Sequence, residues 1–448
     1  MHRFHLQQLY AALLCSAGSV AQADVIIPGN MAGAPAWSPA ANVTVNLAQA
    51  IEGPWDSTPP NANPLIGIYD PNVWAVVFKF SSVNIPSNVT VTFNNHPSNP
   101  PVVWLVDGPV TINGVVSLNG AAGHDWNQVG LLATPGPGGF RGGRASEVGW
   151  TSAGGFGPGA GRPASSTACW SGPGAGYGQS GTGGWANGNG GIAYGSAAVL
   201  PLVGGSGGCG GNAILNPDDS SGGGAGGGAI LIASRTTMTL GTGLGRIRSV
   251  GGNGGNGTNG SQCNAGQWTI GGGGSGGAVR LIADTVIGTG AVDVRGGKQD
   301  IGGGTDIGRG GIGRVRIESN SSTIPVGPGY TYGAPGTTAR LFPDSTTPIV
   351  TDVFVAGMPV PQDPEARISF PGADVAIPSG GPVEVEVHAI MVPTNSTMQV
   401  ITLPSSGTGQ RFITNLTFQS GDAGASVWRG NVSIPGGISA MQVRAVIP

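Results

Sequence analysis

Twice between residues 222 and 318 the chain lays down a block of glycines and then a short apolar strand, Gly226-Gly-Gly-Ala-Ile-Leu-Ile-Ala233 and Gly276-Gly-Ala-Val-Arg-Leu-Ile-Ala283. A looser third copy runs Gly311-Ile-Gly-Arg-Val-Arg-Ile-Glu318. Between the copies a second unit recurs: Gly245 and Gly251 enclose Ile247, Gly290 and Gly296 enclose Val292, and earlier Gly114 and Gly120 enclose Val116. A strand this short, bounded by glycine turns, cannot bury its own apolar side. The copies must therefore stack on one another.

With 86 Gly, 35 Pro and 9% charged residues, helix is excluded almost everywhere, because few stretches of ten residues escape a breaker. Disorder is excluded too, since 39% of residues are hydrophobic and fall in strand-sized clusters. An all-β chain is expected. The formal charge of −3 is spread thin. It leaves no basic face for nucleic acid, and no late apolar run has membrane length.

The opening Met1-His-Arg-Phe-His, the apolar run from Leu9 to Val20 and the small-x-small end Ala21-Gln22-Ala23 predict a signal peptide over residues 1–23 and export from a bacterium. Leu14 stands before Cys15 where lipoprotein processing needs a small residue, so a lipid anchor is not expected. Cys169, Cys209 and Cys263 remain after cleavage. Oxidising conditions favour a structural disulfide over a metal site, with Cys169 and Cys209 the candidate pair and Cys263 the odd thiol.

Residues 24–70 are rich in Pro and Asn and read as an N-terminal cap. From residue 71 short β-branched segments follow closely: Trp74 to Phe80, Val83 to Ile85, Val89 to Phe93, Val102 to Val106, Val110 to Ile112 and Val115 to Leu118. Turns such as Asp107-Gly108 separate them. This density fits a coiled parallel sheet, while Asn113-Gly114 alone would also suit an antiparallel hairpin. The Ile-Pro-x-x-Val-Thr-Val segment over 85–91, Val-Thr-Ile-Asn-Gly over 110–114, and the glycine blocks leading into 226–233 and 276–283 resemble the glycine-rich β-helical proteins of bacterial surfaces. The resemblance implies an exported parallel β-helix over 71–340 with no assigned activity.

Within that span, residues 120–222 depart from the pattern. Strand signals vanish, and Trp126, Trp150, Trp170, Trp185, Phe140, Phe156, Tyr177 and Tyr194 stand among glycines. Such an insert is either a lobe folded back on the β-helix with aromatics as its core, or an exposed aromatic surface. From residue 347 to 448 glycine thins and alternation returns in about seven short strands, the signature of an immunoglobulin- or fibronectin-like β-sandwich with Trp428 in its core.

The search for chemistry is mostly negative. His96, His124 and His388 lack the serine or cysteine context of a triad. His124-Asp125-Trp126 reads as a turn, with a sugar contact as its functional alternative. Gly252-Asn-Gly-Gly-Asn-Gly257 fits a dinucleotide fingerprint by letter only, since no helix follows. It also lacks the Asp and the tandem copies of a calcium-binding roll, so calcium is a weakly supported cofactor.

The best charged constellation is Asp293, Arg295, Lys298, Asp300 and Asp306, with Arg309, Arg314 and Arg316 nearby. Such a cluster would serve a polysaccharide-acting enzyme; its plainer meaning is a ladder of surface ion pairs. The expected function is a structural or adhesive surface protein without catalysis. Extracellular polysaccharide or other surface proteins are its expected partners. A lyase or hydrolase of polysaccharide, or a non-catalytic carbohydrate binder, is the alternative.

Overall fold

A computed structural model describes residues 25–126, 131–145, 154–162, 171–184, 190–212, 220–242, 246–257, 269–299, 307–325, 327–344, 348–360, 375–377, 381–404, 412–434 and 439–447. Residues 1–23, where a signal peptide is expected, lie outside them together with Cys15, as do Trp150, Trp170, Trp185, Cys169, Cys263, Asp300 and Asp306.

The first strands are β1 (Ala36–Trp37), β2 (Val43–Asn46), β3 (Ile51–Glu52) and β4 (Ile68–Asp70). Three turns of coil follow the same plan: β5 (Ala75–Phe80), β6 (Ser82–Ile85), β7 (Thr90–Asn94); β8 (Val102–Val106), β9 (Val110–Ile112), β10 (Val115–Ser117); β11 (Ala229–Ser234), β12 (Thr237–Leu240), β13 (Arg246–Arg248). The series continues with β14 (Ala278–Ile282), β15 (Thr285–Gly288), β16 (Ala291–Asp293), β17 (Arg314–Glu318), β18 (Ser321–Ser322) and β19 (Tyr330–Gly333). Each turn from β5 to β16 visits three sheets in the same order. The first sheet stacks β1-β6-β9-β12-β15-β18, the second β16-β13-β10-β7-β2, and the third β19-β17-β14-β11-β8-β5-β4-β3. All pairings are parallel except that of β4 with β5. The hairpin alternative at Asn113-Gly114 fails, because β9 and β10 join different sheets.

Alternation within each strand sends one side chain in two to a common interior, and parallel register stacks like on like. Phe78, Trp104, Ile232, Leu281 and Ile317 form one such column, and Val83, Val110, Met238 and Val286 another. All belong to one buried cluster, each fully buried side chain contributing about 1.5–3 kcal/mol. The central strands of the third sheet, β5, β8, β11 and β14, are buried on both faces. Their outer residues Val77, Val103 and Leu231 lie beneath Val25, Ile27, Tyr177, Leu202 and Leu341. Lys79, 4% exposed on that face, donates from Nζ to Asn30 O at 2.8 Å and Thr58 O at 2.6 Å, tying the N-terminal segment down.

The glycine blocks are not turns. Along 221–229 successive N–H groups leave for three neighbours in strict rotation. Residues 221, 224 and 227 donate to Thr269, Gly272 and Ser275; residues 222, 225 and 228 to His124, Ala121 and Leu118; residues 223, 226 and 229 to Gly143, Phe140 and Pro137. A rotation every third residue, with no bond inside the segment, means three residues per turn, the geometry of an extended left-handed polyproline-type helix. Segment 269–277 repeats it, toward 249–255, 206–209 and 308–311. The glycine blocks of the repeats and the described residues of the insert over 120–222 thus form one bundle of glycine helices, held by backbone hydrogen bonds instead of an aromatic core. Tyr177 packs on the third sheet and Phe156 is buried, whereas Trp126 is 43% exposed.

The C-terminal strands are β20 (Ile349–Val355), β21 (Met358–Pro359), β22 (Gly381–Ile390), β23 (Thr397–Pro404), β24 (Phe412–Gly421), β25 (Ser426–Ile434) and β26 (Ser439–Val446). They join as one antiparallel sheet, order β21-β20-β22-β25-β24-β23-β26, where two separate sheets are expected of a sandwich. The cause is β24, whose first half pairs with β23 and whose second half, from Thr417 and with an irregularity between Phe418 and Ser420, pairs with β25. The sheet coils around a core of its own, in which Trp428 is 2% exposed and meets Phe418 edge-on at 5.4 Å.

Candidate functional site

Three strands of the second sheet run on into glycine helices: β10 into 118–126, β13 into 249–257 and β16 into 294–299. On the strands every second residue points out, and on the helices every third. Asn253, Asn256, Arg295 and Lys298 are exposed while the glycines between them are buried or half-buried. An outward residue turns its N–H away from the bundle, and the neighbouring row supplies the acceptor. Asn119 Oδ1 accepts from Val250 N at 2.9 Å, Asn253 Oδ1 from Lys298 N at 2.9 Å, and Asp125 Oδ1 from Asn256 N at 2.8 Å. The Gly252 to Gly257 motif is therefore one row of this face, in which Asn253 caps the Lys298 row and Asn256 is capped in turn by Asp125.

Of the constellation read from sequence, the structure brings together Asp293, Arg295 and the start of the Lys298 row. Arg295 grips Asp293 with both forks, Nε to Oδ1 at 2.9 Å and Nη2 to Oδ2 at 2.8 Å, and Arg248 Nε stands 4.0 Å from Oδ2. Burial alone would raise the Asp293 carboxyl. The hydrogen bonds from Arg295 and the charge of Arg248 outweigh it and hold the group below its ordinary range.

The remaining arginines are elsewhere. Arg314 lies on the third sheet, donating from Nη2 to Tyr194 O at 2.7 Å with its guanidinium 5.6 Å above the Tyr177 ring. Arg316 donates to Glu318 Oε1 at 3.3 Å and Tyr332 O at 2.9 Å. Arg309 is set by its N–H to Thr182 Oγ1 at 2.7 Å. Asp300 and Asp306 lie outside the described residues, as does the pairing of Cys169; Cys209 is fully buried in the bundle. Among the described residues no group of three His, Cys, Asp or Glu side chains converges to hold a metal, and no helix is long and apolar enough to cross a membrane.

Two features escape the sequence reading. Arg246 and Arg248 flank buried Ile247 on β13 and face outward beside Asp293, a pattern legible as Arg-Ile-Arg. Arg280 is 1% exposed, its Nε and Nη2 on Glu318 Oε1 at 3.1 and 2.9 Å. On the C-terminal sheet His388 Nε2 meets Glu386 Oε1 at 2.6 Å, and Arg429 takes the other carboxylate oxygen. The hydrogen bond from His388, joined by Arg429 against a small effect of burial, lowers the Glu386 carboxyl.

Compared with protein-family models, curated proteins and solved structures, the chain matches none.

Because the Asp293 pair is rim-exposed through Arg295, Asp293→Ala is expected to cost less than about 1 kcal/mol at neutral pH. Its folded pKa is depressed, so the contribution is complete above the ordinary carboxylate range and disappears as pH falls through that range. Melting curves of the two proteins should converge as pH falls below the ordinary carboxylate range. A gap that widens in acid contradicts the assignment.

Proposed function

We propose that the chain is an exported bacterial surface protein that serves as an adhesive scaffold without catalytic activity. In this reading 71–340 is a parallel β-helix of the glycine-rich surface type. The C-terminal sheet, an open relative of the immunoglobulin/fibronectin-like sandwich, acts as spacer or partner contact. The observation that carries the proposal is the bundle. Its backbone network fixes outward side chains such as Asn253 and Lys298 in rows, on a support that cannot flex without breaking hydrogen bonds.

Neither calcium nor another cofactor takes part, so chelator leaves both melting temperature and binding unchanged. The test is incubation of the full exported chain with extracellular polysaccharides. Retention on polymer without release of new reducing or unsaturated ends is the expected result. Depolymerisation would replace the adhesive reading with the enzymatic one.

A further inference from the structure

The outward positions of the second sheet change character along its length. The early strands present hydroxyls: Thr44 Oγ1 and Thr92 Oγ1 are 2.8 Å apart. The late strands and the rows that extend them present charge. Register places Arg246 between Val115 and Ala291, and Arg248 between Ser117 and Asp293. Arg295 and Lys298 continue the row beyond Asp293. Around these four cations Asp293 is the carboxylate within ion-pair distance among the described residues, and it is shared by Arg248 and Arg295. Arg246 and Lys298 have no ion-pair partner there. Arg248 Nε is shielded from solvent and has no hydrogen-bond acceptor.

A chain of net charge −3 thus gathers a surplus of cations on one flat, rigid strip. At the far end of the same face Trp126, 43% exposed, is pinned by its N–H to Asn256 O at 3.1 Å, and Asp125 caps Asn256 N. An exposed indole on a fixed backbone is a platform for the apolar face of a sugar ring.

Deepening the adhesive reading, and resting on it, we propose that this strip binds an acidic polysaccharide. The polymer lies along Arg246, Arg248, Arg295 and Lys298, and its carboxylate or sulfate groups complete the guanidinium and ammonium shells that Asp293 leaves unfilled. A polyanion of sugars fits better than single-stranded nucleic acid, which needs aromatic platforms for successive bases. Trp126 is at the end of the strip and not along it.

The experiment measures binding of the full chain to polygalacturonate, dextran sulfate, neutral dextran and single-stranded DNA, with the triple variant Arg246→Gln/Arg248→Gln/Lys298→Gln as control. The three side chains point outward and Asp293 keeps Arg295, so the variant should melt with the native protein. Binding to one or both acidic glycans, weakened about tenfold or more in the variant and falling steeply between about 50 and 200 mM salt, is the expected result. Preference for polygalacturonate assigns the strip to carboxylates, and preference for dextran sulfate to sulfates. Should the variant misfold, the salt dependence of the native protein decides. Equal binding to neutral dextran, or binding untouched by the variant and by salt, overturns the strip while leaving the adhesive reading intact. DNA binding as tight as glycan binding overturns the choice of polymer. Binding to none of the four overturns the strip and, if whole-cell polysaccharide also fails, the adhesive reading with it.

Discussion

Replacing Gly254 by valine is expected to prevent the glycine bundle from closing. A Cβ at this position would fall inside the van der Waals envelope of the Gly271 carbonyl, backbone against backbone. Neither side can retreat. Gly254 N is committed to Lys298 O at 2.9 Å, and Gly271 N to Gly255 O at 3.2 Å, each within a row that is itself bonded on other sides. The cost exceeds the usual 1–3 kcal/mol of an overpacked core, because no rotamer change relieves it; about 3 kcal/mol or more is expected. Amides over 221–228 and 271–277 should lose hydrogen-exchange protection. One residue away, Asn253→Ala removes only the cap on Lys298 N and should cost about 1 kcal/mol. Similar effects for the two substitutions would mean that the rows are not close-packed.

Glu318→Ala is expected to be the most damaging single change in the parallel sheets, about 3–5 kcal/mol. The substitution strands Arg280, whose guanidinium sits at 2% side-chain exposure and whose remaining acceptor is Leu341 O at 3.4 Å. Burial lowers the Arg280 pKa, and Glu318 is the group that opposes it. Arg316 loses a carboxylate as well but keeps Tyr332 O. Restoring apolar balance by Arg280→Met in the Glu318→Gln background should recover most of the loss. Urea unfolding followed through buried Trp37 and Trp104 measures both steps. A double variant no better than Glu318→Ala would place the damage in packing and not in the stranded charge.

The parts legible in the sequence are those where side chains carry a period. Val110-Thr-Ile112 and Val383-Glu-Val-Glu-Val387 alternate, and both are strands with alternating burial. Asp293 and Arg295, two apart, do share a face and pair. The glycine blocks were opaque because residues without side chains write no amphipathic pattern. Their period lies in the few exceptions, Val250, Asn253 and Asn256, or Arg295 and Lys298, each three residues after the last. The partner of Arg280 was hidden for another reason. Register pairs Arg280 with Arg316 and Ile282 with Glu318, so the ion pair is a diagonal contact that only stacking creates. Arg314 and Arg316 seemed near Asp293 in sequence, yet they belong to a different sheet. The two-sheet sandwich failed to separate because the bend in β24 leaves no gap in the run of Thr414 to Phe418.

The bundle has a thermal consequence. Unfolding it exposes peptide groups and hardly any hydrocarbon, and hydration of polar surface lowers heat capacity where hydration of apolar surface raises it. Its heat-capacity increment is therefore small or negative, against about 12–15 cal/mol/K per residue for an ordinary domain. The coiled sheets around Phe78 and Trp104 follow the usual domed stability curve and weaken in the cold. The bundle's free energy has no such dome: it rises steadily as temperature falls, so the rows are held most firmly under the conditions that loosen the hydrophobic core beside them.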